Sequence, residues 1–186
     1  MTSPESSFPA MRLDMRSLAH TGDSLSGQDP LRHYLRLAGD LHGFSGDWPD
    51  LAVQWHVRGE TRADTNGKPA HWLHLKLGAQ LPMTCQRCLG QALMPVALDN
   101  SYRFVADEAA AQAEDEQCDE DLLVWSKQFD LRELLEDELL LELPLVPKHE
   151  VCPVEMKLAS TDEDFKAALT QKPNAFAALG SLKKAP

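Results

Sequence analysis

Alternating hydrophobic and polar positions mark the middle of the chain as strand-forming. Apolar residues fall at every second position over 51–58, and a second alternating run covers 73–77. A period of two is typical of a strand that buries one face. Further strands are predicted at 92–98 and 102–105, with Pro95 at an edge or a bulge because proline has no backbone N–H to donate. Short strands that follow one another closely predict a small antiparallel sheet or an open barrel.

Helical spacing predicts two further elements. Over 130–143 the leucines recur on one face, and Asp130 is suited to cap the N-terminus with Glu133 three positions later. An Asp-Pro pair followed by a short apolar stripe predicts a second helix over about 29–39. Together with the strands, these segments predict an α+β fold, in which a small antiparallel β-sheet or open barrel packs with a few helices.

Composition divides the chain into an arm, a domain and a tail. Residues 1–28 are polar and lack sustained periodicity, which predicts a mobile N-terminal arm. Residues 29–186 are expected to form a single domain with an acidic loop near 107–120. The C-terminal tail, residues 173–186, carries a short apolar stripe. We expect this stripe either to dock on the domain or to serve as a linear binding element.

The net charge of −11 is concentrated in one part of the chain. Residues 107–142 hold 14 acidic side chains and two basic ones. Such an acidic block disfavours general phosphate binding and attracts basic proteins. The candidate partner-binding residues lie on the 130–143 helix and beside the cysteine and histidine motifs; they are Glu133, Glu136, Asp137, Arg87 and Lys148. The alternative interpretation is that the acids form only a solvated loop and helix face.

The clearest chemical motif is a C-x-x-C at residues 85–88, between two predicted strands. Two thiolates at this spacing can bind one tetrahedral zinc ion, which then needs two further ligands. An H-x-x-C pair can supply them, so a structural zinc site is predicted at Cys85, Cys88, His149 and Cys152. The 60 residues between the two pairs exceed the ~12–20 of compact zinc modules. Reduced packing thiols and a redox pair therefore stay open as alternatives.

Several other functional classes lack their sequence signals. The chain has no G-x-S-x-G, phosphate-binding loop or G-x-G-x-x-G motif, and its histidines have no carboxylate placed by sequence to orient them. No apolar run reaches the ~18 residues of a membrane span, and the N-terminus has no signal-peptide core. We therefore expect a non-enzymatic binding protein in the cytoplasm, where cysteines are reduced or metal-bound.

Three segments occur in an order that points to a family. They are Cys85-Gln86-Arg87-Cys88-Leu89, the stretch 130–149 with Cys152 after it, and the tail 172–183, which reads K-P-N-A-F-A-A-L-G-S-L-K. In order and approximate spacing they resemble the bacterial YceD family, the large ribosomal RNA subunit accumulation proteins. The resemblance covers roughly residues 30–184. Ala175 stands where the family pattern has proline, which removes one backbone restraint.

The resemblance implies a ribosome-biogenesis factor that supports synthesis, processing or accumulation of large-subunit (23S) ribosomal RNA. It implies no reaction and no catalytic residue. The acidic block favours a basic ribosomal protein or a large-subunit assembly intermediate as the partner, with no membrane and no DNA. Direct RNA binding is the alternative, through Arg58, Arg62, Lys68, Lys76 and Arg87 with Trp55 or Trp72 stacking on bases. A thiol-redox or RNA-processing enzyme is a third alternative.

Overall fold

The computed structural model describes residues 12–43, 51–64 and 67–155, with the isolated positions 160, 162, 164, 165 and 176. The chain divides into two compact units, Met1–Glu150 and Val151–Pro186. In the second unit the Phe165 N–H donates to the Asp162 carboxylate at 2.6 Å. Most of the tail 173–186 lies outside the described residues, so its apolar stripe stays a prediction. Of the described helices, none is long and apolar enough to cross a membrane.

A five-stranded sheet forms the centre of the first unit, in the order β2-β3-β4-β5-β6. Neighbouring strands are antiparallel, except for the parallel pair of β5 and β6. A separate two-stranded sheet pairs β1 with β7. The strands are β1 Arg12–Leu13, β2 Ser24–Pro30, β3 Ala52–Ala63, β4 Pro69–Thr84, β5 Gln91–Val105, β6 Asp121–Val124 and β7 Phe129–Asp130.

Three α-helices and two short 3-10 helices complete the described secondary structure. The α-helices are α1 Met15–Thr21, α2 Glu108–Asp115 and α3 Leu131–Leu141, and the 3-10 helices span Leu31–His33 and Leu37–Asp40. The predicted α+β fold is confirmed. The main sheet is open and mixed, since the β5–β6 pair is parallel.

The alternating runs form the two central strands, as predicted. Val57 of β3 pairs with Leu75 of β4, and both side chains are fully buried. The leucines of α3 belong to the same core; Leu131, Leu135 and Leu139 are each 0% exposed. The hydrophobic face of the sheet and the apolar face of α3 therefore supply one common core.

The predicted helix at 130–143 is confirmed as α3, and its capping follows from the sequence. The Asp130 carboxylate accepts hydrogen bonds from the N–H groups of Arg132 and Glu133, at 3.0 and 3.3 Å. These bonds satisfy donors that have no partner within the first turn of a helix.

Strand β5 differs from the two segments predicted at 92–98 and 102–105, because it runs unbroken through the expected turn. Asp99 lies opposite Lys76 in the continuous ladder with β4. Strand β6 pairs only with the last four residues of β5, so Pro95 lies on a stretch that β6 does not cover. This position agrees with the predicted edge, where a missing N–H is tolerated.

The N-terminal segment also differs from its prediction as part of a mobile arm. Residues 12–28 form β1, α1 and most of β2. The Asp14 carboxylate caps α1, and Met15 and Leu18 are buried in the core. Elements this short show no repeated hydrophobic period, so the sequence pattern does not predict them. Their apolar residues are buried by packing against the neighbouring strand β3.

The helix predicted from Asp29-Pro30 is not an α-helix. The two residues end β2, and the 3-10 helices follow instead. The Asp29 side chain does not cap a helix; it is 7% exposed and accepts from Arg132 Nε at 3.0 Å and contacts His33 Nδ1 at 2.8 Å. A buried carboxylate prefers such charged partners to a local backbone cap.

The acidic segment near 107–120 contains a helix rather than a continuous loop. Asp107 caps α2 by accepting from the Ala110 N–H at 2.8 Å. None of the residues of α2 is buried. On α2, Glu108 and Asp115 are therefore presented to solvent, whereas Glu114 accepts from Arg103 Nη1 at 2.7 Å.

We predict that Gly59→Ala destabilises the fold, because Gly59 of β3 faces the backbone of α1. A Cβ at this position would lie 2.6 Å from the Ala19 backbone nitrogen and nearer still to the Leu18 carbonyl. The free energy of unfolding should fall by at least about 2 kcal/mol in a denaturant titration. Gly39→Ala is the matched control, since nothing lies within 4 Å of its added Cβ. Equal stability of both variants would contradict the docking of α1 on β3.

Candidate metal centre and partner surface

The turn between β4 and β5 brings the two cysteines of the C-x-x-C motif together. Cys85 follows β4 and is buried, while Cys88 is half-buried. The Cys85 N–H donates to the Gly90 carbonyl at 2.9 Å, and the Leu89 N–H donates to the Cys85 carbonyl at 2.8 Å. Leu89 has a φ of 60°, in the left-handed region. Residues 85–90 are called the cysteine knuckle below.

A segment 60 residues further along the chain lies beside the cysteine knuckle. The Gln86 N–H donates to the Pro147 carbonyl at 2.8 Å. The Arg87 guanidinium donates to the carbonyls of His149 and Glu150 at 3.0 and 3.3 Å. The long gap that weakened the zinc prediction is therefore closed by tertiary structure.

The hydrogen bonds of His149 orient its ring so that Nδ1 could bind a metal ion. Nδ1 lies 3.4 Å from Cys88 Sγ, and Nε2 lies 2.9 Å from the Gln91 carbonyl oxygen. A carbonyl only accepts, so Nε2 carries the proton and Nδ1 presents its lone pair. Metal-binding histidines are commonly oriented by such a second hydrogen bond. Sequence reasoning missed Gln91, because a main-chain carbonyl leaves no residue-type signal.

The four predicted ligands come together. The ligand atoms of Cys85, Cys88, His149 and Cys152 all lie within 4.8 Å of one another. In a tetrahedral zinc site with bonds of 2.3 Å, two sulfurs are about 3.8 Å apart. The group can therefore hold a metal ion without a large rearrangement.

The cysteine knuckle favours a thiolate at Cys85. Burial by itself raises the pKa of this thiol, but backbone N–H groups at Cys88, His149 and Arg87 stabilise the sulfur anion. The result is a pKa below the ordinary value of 9.0. A thiolate is the form that binds a metal.

The candidate partner-binding residues fall on two parts of the first unit. Arg87 and Lys148 are exposed beside the metal centre, and Glu133 is exposed on α3. Glu136 is 8% exposed and its carboxylate accepts from the N–H and the Nε of Arg36, at 2.6 and 3.0 Å. Of the candidate acids Glu133, Glu136 and Asp137, Glu136 therefore stabilises the packing of α3 and is not accessible to a partner.

Arg36 also contacts Asp137, so one cation binds two of the acids on α3. Sequence reasoning missed Arg36, because 100 residues separate it from Glu136. This contact offsets part of the repulsion among the neighbouring acids of α3.

Several of the residues considered for direct RNA binding contact other groups of the protein. Trp72 is 2% exposed, and the Arg62 guanidinium lies 3.7 Å from the centre of its ring. Lys76 pairs with Asp99 at 2.9 Å. Trp72 is therefore too buried to stack on an RNA base.

We predict that Arg36→Ala lowers the free energy of unfolding by about 1–2 kcal/mol, because it leaves the buried Glu136 carboxylate without its cation. Lys76→Ala is the control. Its ion pair with Asp99 is exposed on both sides, so its removal should change stability by less than about 0.5 kcal/mol. Denaturant titration of both variants measures the difference. Equal effects would contradict the internal role of Glu136.

Comparison with known proteins adds one finding. Residues 73–183 match the family described as "Large ribosomal RNA subunit accumulation protein YceD". No curated protein and no solved structure matches the chain significantly. The family match spans more than half of the chain, and it includes most of β4, the cysteine knuckle and α3. The chain therefore belongs to the YceD family of large ribosomal RNA subunit accumulation proteins.

Proposed function

We propose that this protein is a non-enzymatic ribosome-biogenesis factor of the cytoplasm. It supports synthesis, processing or accumulation of large-subunit ribosomal RNA by binding a basic ribosomal protein or an assembly intermediate. The family match over residues 73–183 carries the proposal, since the family is described by accumulation of that RNA.

The distribution of accessible charge supports a basic partner. Helix α2 and the segment after it present their acids to solvent, with Glu108, Asp115 and Glu116 all exposed. On α3, Glu133 is exposed as well. Negative charge in this arrangement speeds the encounter with a basic protein and repels bulk nucleic acid.

We also propose that the four-ligand group holds a structural zinc ion. Three sulfurs and one imidazole nitrogen form a donor set typical of closed structural zinc sites. The hydrogen bond from His149 to Gln91 supports this assignment, because it fixes the tautomer that a metal requires. Such an ion would join the cysteine knuckle to the segment that follows α3.

We predict about one zinc ion per chain in protein purified under reducing conditions, measured by elemental mass spectrometry. Cys85→Ser and Cys152→Ser should each lose the metal, because each removes one thiolate ligand. Cys118→Ser is the matched control and should keep it, since Cys118 lies outside the group. The zinc assignment would be contradicted if the wild-type protein contained no metal and both ligand variants had the melting temperature of the wild type.

We predict that cells lacking this protein have a lowered ratio of large-subunit to small-subunit ribosomal RNA, and that the wild-type chain restores it. The double variant Asp115→Lys, Glu116→Lys should fail to restore the ratio, because it reverses charge at the end of α2. Lysines are favoured at a helix C-terminus, so loss of folding would not explain the failure. Asp23→Lys, at an exposed acid away from α2, is the control. Full restoration by the double variant would contradict the role of this acidic segment.

A further inference from the structure

A groove of about 520 Å³ lies in the first unit, between the end of β4 and the residues that follow α3. Its walls combine large apolar side chains with a few polar ones. The lining residues used in the argument below are Asp40, Met83, Gln86, Leu141, Leu145 and Pro147.

Four leucines line this groove; Leu140 and Leu143 pack against the core, but the exposure of the other two is not explained by folding. Leu141 is 78% exposed and Leu145 is 99% exposed, whereas Leu139, two residues before Leu141, is fully buried. Val146 beside them is 61% exposed. Neighbouring exposed apolar side chains of this size are typical of a surface that a partner covers.

One part of the groove wall is negative, while the exposed Arg87 and Lys148 adjoin the lining residues Gln86 and Pro147. Within the described part of the chain, Asp40 is the one charged residue that lines the groove, and it is exposed. Glu142 is exposed between two lining leucines and forms the C-cap of α3. The last turn of α3 has no basic residue, so its carbonyl end keeps its partial negative charge.

The walls of the groove are held in place by hydrogen bonds. Gln86 donates its N–H to the Pro147 carbonyl at 2.8 Å, which ties the cysteine knuckle to the segment after α3. On the other side, the His42 N–H donates to the Pro82 carbonyl at 2.8 Å, and its ring bonds to Thr84. A groove whose walls are fixed before binding loses little entropy when a ligand enters.

We propose that this groove binds a basic amphipathic segment of a partner protein, with a large apolar side chain between Leu141 and Leu145. A neighbouring lysine or arginine contacts Asp40, Glu142 and the carbonyl end of α3. The inference rests on the proposed function, since it names the surface and the chemistry by which a basic ribosomal protein or assembly intermediate is held.

The test uses the full chain and two fluorescein-labelled peptides with identical leucine positions. One peptide carries lysines at its polar positions, and the other carries glutamates. Fluorescence anisotropy should show binding of the lysine peptide, weakened by added salt, and at least about tenfold weaker binding of the glutamate peptide.

Variants of the full chain locate the binding surface. The double variant Leu141→Ser, Leu145→Ser should weaken binding of the lysine peptide about tenfold, and Asp40→Asn about threefold. Leu35→Ser and Asp23→Asn are the controls, because Leu35 is 74% exposed and Asp23 is exposed, and neither lines the groove. Both controls should bind within about twofold of the wild type.

Three outcomes of the experiments on the purified protein would overturn the inference. The first is equal binding of both peptides, which would indicate unselective apolar contact. The second is displacement of the lysine peptide by a peptide of residues 173–186, which would assign the groove to the chain itself. The third is a dimer in sedimentation that the double leucine variant dissociates. If the groove variants restore the ribosomal RNA ratio in cells while the Asp115, Glu116 variant does not, the groove inference fails and the proposed function stands.

Discussion

Strands β4 and β5 pair without interruption from His71 opposite Phe104 to Thr84 opposite Gln91. One face of this ladder supplies the core, in which Leu73, Leu75 and Leu81 are fully buried. The turn at its end is the cysteine knuckle, which presents Cys85 and Cys88 side by side. A slip of one residue in the register would exchange the two faces of the strands and move the turn. Core and metal centre therefore depend on the same pairing.

Buried charge is the second constraint, because α3 carries acids on the side that packs against the rest of the unit. Glu136 and Glu138 are each 8% exposed. Glu136 is bound by Arg36, and Glu138 accepts from the Asn100 amide at 3.3 Å. Asp29 in turn binds Arg132. A buried carboxylate without such partners would destabilise the fold, so these contacts allow an acid-rich helix to pack on the sheet.

The same region joins the candidate metal centre to the groove. The cysteine knuckle contributes Gln86 to the groove wall, and the segment after α3 contributes Pro147; their backbones are bonded to each other. A structural ion at this place would hold the groove in one shape, since metal binding and local folding are coupled. No residue of α2 lines this groove, so the proposed attraction of a basic partner and the proposed close contact with it rest on different residues.

The sequence by itself determined the central strands, α3 with its Asp130 cap and the α+β class, and it predicted the four residues that come together as a candidate metal group. A period of two, a capping residue and an H-x-x-C spacing are features of neighbouring residues, so they can be recognised in the sequence without knowledge of the tertiary structure. Tertiary structure decided the rest: the burial of α1 against Gly59, the parallel β5–β6 pair, the 3-10 turns after Asp29 and the carbonyl of Gln91 that orients His149. Each of these depends on contacts between distant segments, and their free energy comes from burial and pairing that no local pattern records.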